Sequence, residues 1–304
     1  MGSVFYITVY AADAAQAEKA ALDAFRRVDE INAIASDYLP ESELSRFNRA
    51  AANEPVKISS DLFQLFEESI RAARLTDGAF DITATYAIQQ WRRAKRKQKL
   101  PTPEETQKAV AMTDWRQLSL DDSKHTAVKR KEGVLLDLGG IGKGYAADAA
   151  LRVLNDHGIT RAVVAASGDL AIGDSPPGKE GWDVALRTFE KPEESDRLTH
   201  VILNNCGCST SGDLHQFLEL EGKRYSHIVN PRTGLGLTER IGCTLIAPTA
   251  TTADSLATAF CVMGVERTVR LVESTPGLMK VHLTWLEQGE MKARDAESKV
   301  VEKK

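Results

Sequence analysis

The chain has 304 residues, 42% of them apolar, and a formal net charge of −4. That length can bury a large core in one big domain or two modest ones, and the slightly acidic balance excludes the broad positive field of a nucleic-acid binder. No run reaches the 18 or so apolar residues of a membrane span, and four cysteines are too few for a disulfide-dense scaffold.

In chain order, "VFYITVY" reads as a strand starting almost directly after Met1, with no basic-then-apolar leader, so a targeting piece cut away upstream is expected. A helix is expected over 13–34, with Leu22, Phe25, Val28, Ile31 and Ile34 along one stripe. "SDYLPESELSRFNRA" reads as a loop holding a short helical turn. A second amphipathic helix runs over 60–75 and stops at "TDGAFD", where Gly78 accepts a conformation other residues resist. The stretch "WRRAKRKQKL" reads either as a solvated surface or as a patch that meets a phosphate or an acidic partner. "TPEET" is a helix start, with Thr102 as cap, Pro103 first and Glu105 third.

"HTAVKRKEGVLLDLG" predicts a hairpin whose second strand, "VLLDL", ends in glycines, followed by a helix ending at Gly158. "ITRAVVAASGD", "GWDVALRTF" and "HVILNNCGCSTSGD" read as three strands, and "FLELEGKRYSHIVNP" as a hairpin turning at Glu221-Gly222. "GCTLIAPTA" is a strand, the helix carrying Asp254 ends near Gly264, and "VERTVRLVES" is a further helix. Residues 287–304 are charged and expected to fray, leaving one domain over 1–286. Hairpins and helices without regular alternation predict an α+β fold rather than a doubly wound sheet. The C-x-C pair Cys206 and Cys208 reads as packing or as one disulfide, since zinc needs further soft ligands.

Five segments carry candidate chemistry. "DLGGIGKGYAAD" sets four glycines between a strand and a helix, either as a tight structural turn or as a turn that admits phosphate to free helix amides. It fits neither a dinucleotide fingerprint nor a Walker loop, but Asp137 and Lys143 supply an acceptor and a cation. "ASGD" and "TSGD" are strand ends that each place a carboxylate among small residues, and each alone reads first as a turn. "YSHIVNPRTG" concentrates hydrogen-bonding groups beyond the needs of a surface loop. Asp254 and Thr258 lie four apart and share a helix face. They read as a cap with a back-bonded hydroxyl, or as hard ligands for a magnesium that carries a diphosphate.

Together with "MGSVFYITVY", "SDYLPESELSRFN", "TDGAFD" and "APTATTADSLATAF", and in that family's order, these segments resemble the ApbE-like family of flavin transferases to about Thr275. The resemblance implies a single α+β domain that binds FAD and magnesium, moves FMN to a Thr or Ser hydroxyl of an acceptor protein, and releases AMP. It implies magnesium ligands at Asp254, Thr258 and the backbone carbonyl of Gly140. Flavin contacts are implied at Met1, Tyr38, Ala79, Phe80, Asp81, Asp137, Lys143 and Ile228. His227 is the expected proton-handling group, acting with Lys143 and Asp254. An electron-transfer protein is the expected acceptor. Action outside the cytoplasm from a lipid-tethered precursor is expected, with a cytoplasmic setting as the alternative. A hydrolase splitting FAD to FMN and AMP would use the same residues, and a non-catalytic FAD carrier, without bound magnesium and with His227 turned away, is the alternative from another class. The chain departs from the resemblance twice: "ITATYAIQQWRRAKRKQKL" stands where relatives often carry "PTVGPLVNLWGFG", and Ser167 stands where they usually carry glycine. The first departure bears on acceptor recognition.

Overall fold

In a computed structural model, the residues described are 3–186, 199–213, 216–277 and 280–299. The chain runs β1 (Phe5–Val9), α1 (Ala14–Ala35), α2 (Glu43–Arg49), β2 (Val56–Lys57), α3 (Ser60–Leu75), α4 (Thr85–Lys97), α5 (Pro103–Ala111), β3 (Leu118–Asp121), β4 (Thr126–Lys129) and α6 (Gly142–Asp156). It continues through β5 (Ala162–Ala166), β6 (Asp169–Ile172), β7 (Trp182–Leu186), β8 (Thr199–Leu203), β9 (Cys206–Gly212), β10 (Phe217–Leu220) and β11 (Lys223–Ser226). The last elements are β12 (Ile241–Ala247), α7 (Ala250–Met263), α8 (Val265–Ser274), β13 (Lys280–Glu287) and β14 (Glu290–Glu297).

Among the described residues the main sheet has the order β1-β5-β6-β9-β12-β13-β14, and each neighbouring pair is antiparallel. This is the α+β architecture expected from the element pattern. Strand alternation sends successive side chains to opposite faces. Val164, Leu245 and Ala247 enter the main core shared with α1, α3, α6 and α7. Val163, Leu170, Cys206, Cys208 and Ile246 instead meet Trp182, Val184 and Val201 of the β7–β8 hairpin in a smaller core.

The helix that matters most for the site is α7, rich in alanine and buried along most of its length. Thr249 caps it by accepting the Thr252 amide, and Asp148 of α6 accepts the amides of Ala250 and Thr251 at 3.0 and 2.8 Å. These bonds satisfy donors that a helix start leaves orphaned. A Cβ on Gly207 of β9 would lie 2.1 Å from the Thr249–Ala250 backbone, so glycine lets the sheet touch this helix start directly.

Several sequence expectations need correction. Leu22 and Phe25 of the expected α1 stripe are 58% and 38% exposed, and the buried face is Ala20, Ala24, Val28, Ile31 and Ala35. Small side chains let α1 pack closely on alanine-rich α6. "VLLDL" forms no strand. Its backbone is satisfied by side chains and loops: Asn48 brackets Leu136, Thr85 Oγ1 donates to the Leu135 carbonyl, and the Asp137 amide donates to Ile82. Strand β4 pairs with β2 and β3 instead. "HVILNNCGCSTSGD" splits into β8 and β9, with Asn205 left-handed at φ 45° between them. Residues 290–297, expected to fray, form β14 along β13. Their charged residues suit an edge strand facing water, with only Ala296 of that strand buried. All four cysteines are free and buried. Cys206 and Cys208 lie two apart on one strand within the same small core, so neither pairs in a disulfide.

Candidate active site

A cleft of about 730 Å³ opens where α4, the α6 start, the β5–β6 turn, β9, the β11 end and α7 converge. Its size suits a small-molecule ligand. Tyr38, Ala79, Phe80, Asp81, Asp137, Gly140, Lys143, His227, Ile228, Asp254 and Thr258 all line it, drawn from five separate stretches of chain. Met1 lies outside the described residues.

The floor is ionic. Lys143 Nζ lies 2.9 Å from Asp169 Oδ2 and 3.1 Å from Asp254 Oδ1, and both carboxylates are almost fully buried. Burial alone would push the lysine down, but the charges of Asp254 and Asp169 outweigh it and hold the ammonium above its ordinary pKa. Burial, then repulsion from Asp169, pushes Asp254 up to about 6 while Lys143 and the Gly144 amide pull the other way. We take the lysine as charged and the cluster as net negative, because two carboxylates share one ammonium. Gly144 donates its amide to Asp254 Oδ2 at 3.0 Å. A Cβ there would meet the Ala250 carbonyl oxygen at 2.2 Å, so only glycine lets α6 come this near α7.

Asp254 does not cap its helix, because Thr249 does. Thr258 Oγ1 pairs with Ser211 Oγ of β9 at 3.1 Å. The Phe80 ring packs beneath Gly140.

His227 follows β11. Its Nδ1 lies 3.1 Å from the Gln216 carbonyl, which can only accept, so Nδ1 carries the proton and Nε2 is left with its lone pair. The Trp91 ring meets the imidazole edge-on at 6.2 Å. Burial lowers the imidazole below its ordinary value, the bond to Gln216 opposes this, and the charges of Lys143 and Lys95 add to the lowering, which favours the neutral ring.

On the opposite wall Asp137 accepts from Arg92 Nη2 at 2.9 Å and from the Gly139 amide at 2.7 Å. Burial and the nearby Asp37 push it up to about 6, partly offset by Arg92. The same guanidinium reaches Asp37 Oδ2 at 2.6 Å and lies 4.7 Å over the Tyr38 ring. Asp81 spends its carboxylate on the Thr83 amide, the Thr83 hydroxyl and the Trp115 amide, folding the loop that presents Ala79 and Phe80.

Residues 1–283 match the ApbE family. The chain belongs to that family. A FAD:protein FMN transferase of Haemophilus influenzae is 34% identical over 254 residues, covering 80% of this chain and 72% of the relative. One of Klebsiella pneumoniae is 32% identical over 280 residues, covering 90% and 79%. The solved flavin transferase ApbE from Vibrio cholerae superposes with a TM-score of 0.85 at 29% identity, covering 97% of this chain and 94% of that one. ApbE membership makes this chain an enzyme of flavin transfer.

Sequence reasoning missed several members of this ApbE-family cleft. Asp169 ends the quoted "ASGD", but nothing in that motif signals a lysine 26 positions earlier as its partner. Ser211 sits inside "TSGD" and reads as a turn residue until β9 sets it beside Thr258. Arg92 is hidden in the basic run, and the pitch of α4 turns it inward while Lys95, Arg96 and Lys97 of the same run are exposed.

Proposed function

We propose that this chain is a magnesium-dependent FAD:protein FMN transferase that acts on a Thr or Ser hydroxyl of an acceptor protein and releases AMP. The observation that carries the reading is the charge of the cleft. Four carboxylates line it, Asp81, Asp137, Asp169 and Asp254, against the cations Arg92 and Lys143. A diphosphate entering such a lining needs a metal cation to accompany it. The donors suit a hard one: Asp254, Thr258 and Gly140 line the same cleft, and a carboxylate, a hydroxyl and a backbone carbonyl all offer oxygen. Among the described residues no three His, Cys, Asp or Glu side chains could hold a metal together, so phosphate oxygens and water would complete the shell. When bound, the cation supplies charge neutralisation on the diphosphate.

The residues of the chain divide the remaining work. Tyr38, Ala79, Phe80, Asp137 and Ile228 wall the ring-binding part, and the expected flavin contact of Met1 belongs to the same proposal. Lys143, held by Asp169 and Asp254, faces the diphosphate. His227 Nε2 takes the proton of the acceptor hydroxyl as that oxygen bonds to the FMN phosphorus. The bond from this phosphorus to the bridging oxygen breaks, and AMP leaves with that oxygen and its electron pair.

Incubation with FAD and magnesium, with and without a candidate acceptor, followed by mass analysis of every product, tests the reading. An FMN adduct on the acceptor plus AMP is the expected result. FMN and AMP without adduct would make the chain a hydrolase, and intact FAD would leave a binding protein. By resemblance to the family we also propose an electron-transfer acceptor and action outside the cytoplasm from a lipid-tethered precursor, which fractionation of cells expressing the full reading frame would test. No helix among the described residues is long and apolar enough to cross a membrane.

A further inference from the structure

Six of residues 92–99 are Lys or Arg, and a solvated basic face accounts for most of them. It does not account for Arg92, which lines the cleft with its side chain only 25% exposed. Its guanidinium is held at two points, by Asp37 Oδ2 at 2.6 Å and Asp137 Oδ2 at 2.9 Å. A planar fork anchored twice has a fixed plane, and the Tyr38 ring lies against that plane at 4.7 Å.

We infer that Arg92 is a specificity-determining positioning residue for the planar ring system of the nucleotide, an inference that rests on the flavin-nucleotide reading of the cleft. Tyr38 is 69% exposed at the cleft mouth. Such a side chain samples several rotamers unless something holds it, and ordering it on binding reduces affinity. Arg92 covers one face of the phenol and leaves the ring in place as a platform for a ligand ring. The same guanidinium fixes the Asp137 carboxylate. Among the described residues Arg92 donates to Oδ2 and the Gly139 amide to Oδ1. A carboxylate oxygen accepts more than one hydrogen bond, so Asp137 keeps capacity for a ring N–H, as in an isoalloxazine imide or an exocyclic purine amine. One residue therefore sets both the stacking surface and the hydrogen-bond acceptor. A lysine at this position would keep the charge but lose the plane and the fork.

The test compares parent, Arg92→Met, Arg92→Lys and Asp37→Asn. Affinities for FAD and for inorganic pyrophosphate, each with magnesium, are measured beside flavin fluorescence quenching and melting temperature. Arg92→Met is expected to weaken FAD roughly tenfold, the scale of ordering one side chain, to reduce the quenching, and to leave pyrophosphate affinity within about twofold. Arg92→Lys should weaken FAD nearly as much, and Asp37→Asn to an intermediate degree. If Arg92→Met does not fold, the other two variants decide on the same criterion. FAD affinity unchanged in the folded variants would overturn the inference, and so would pyrophosphate affinity falling as far as FAD affinity. A parent that binds pyrophosphate but no flavin would overturn the flavin-transferase reading, and this inference with it.

Discussion

Lys143 Nζ contacts both carboxylate oxygens of Asp254, at 3.1 and 3.2 Å, across 111 positions of sequence. The pair joins the glycine turn at the start of α6 to the middle of α7, so the two motifs act as one unit. Replacing Asp254 by Asn keeps the shape of the side chain and removes its charge, while Asp169 still balances the ammonium. Magnesium-stimulated FAD cleavage is expected to fall more than about 100-fold, the scale of losing one electrostatic group at a reacting phosphate. The melting curve should move little, and a chelator added to the parent should reproduce the loss. Full magnesium stimulation in Asp254→Asn would remove Asp254 from the metal site.

His227→Ala is expected to slow FMN transfer by roughly 10²–10⁴-fold, as for loss of a general base. FAD affinity should hardly change. Because the folded-state imidazole titrates below its ordinary value, the neutral base is present above that pKa and lost as pH falls through it. The parent's transfer rate should therefore decline on the acid side of pH ~6.5. Single-turnover measurements of both proteins across pH 5–8 check this. A variant that melts earlier but transfers at the parent rate would make His227 scaffold.

Gly144→Ala places a methyl group against the Ala250 carbonyl oxygen. Neither helix backbone can yield locally, so α6 and α7 must separate and the bond from Gly144 to Asp254 must lengthen. A loss of about 1–3 kcal/mol is expected, in the range of overpacking, together with weaker magnesium-dependent FAD binding. Denaturant melts and FAD titrations with and without magnesium would register both effects. An unchanged midpoint would contradict the close approach.

Ser167 is left-handed at φ 61° in the turn between β5 and β6. A Cβ is disfavoured there by roughly 1–2 kcal/mol, and glycine returns part of that gain through its freer unfolded chain. Ser167→Gly should stabilise the protein by about 0.5–1 kcal/mol, visible as a higher denaturant midpoint. A lower midpoint would mean that the serine side chain holds the turn by contacts that outweigh its backbone strain.

Local signals carried much of this structure. The capping box at Thr102 and Glu105 forms as its spacing predicts, and the turn at Glu221-Gly222 is left-handed at both residues. Apart from Met1, which lies outside the described residues, the residues expected around the flavin line one cleft, and each lies in a short motif legible in the sequence. What could not be read depends on partners distant in sequence. "VLLDL" is a short apolar run like that of a buried strand, yet Asn48, 88 positions away, takes both backbone groups of Leu136. Charge in 290–297 reads as disorder until β13 supplies an edge to pair with. Arg92 shares the composition of the run around it, and only Asp37 and Asp137 set it apart.

The cysteines carry a consequence for where this scaffold can operate. Burial pushes the Cys206 thiol up to about 11 and those of Cys208 and Cys261 to about 12, and raises Cys243 well above its ordinary value. Oxidants and alkylating agents attack the thiolate, so at neutral pH these sulfurs offer almost no reactive form. The fold is held by packing rather than by cross-links, and its stability should be the same under glutathione as under oxidising conditions. An enzyme of flavin transfer thus has a framework that a change in the redox state of its surroundings leaves chemically unchanged.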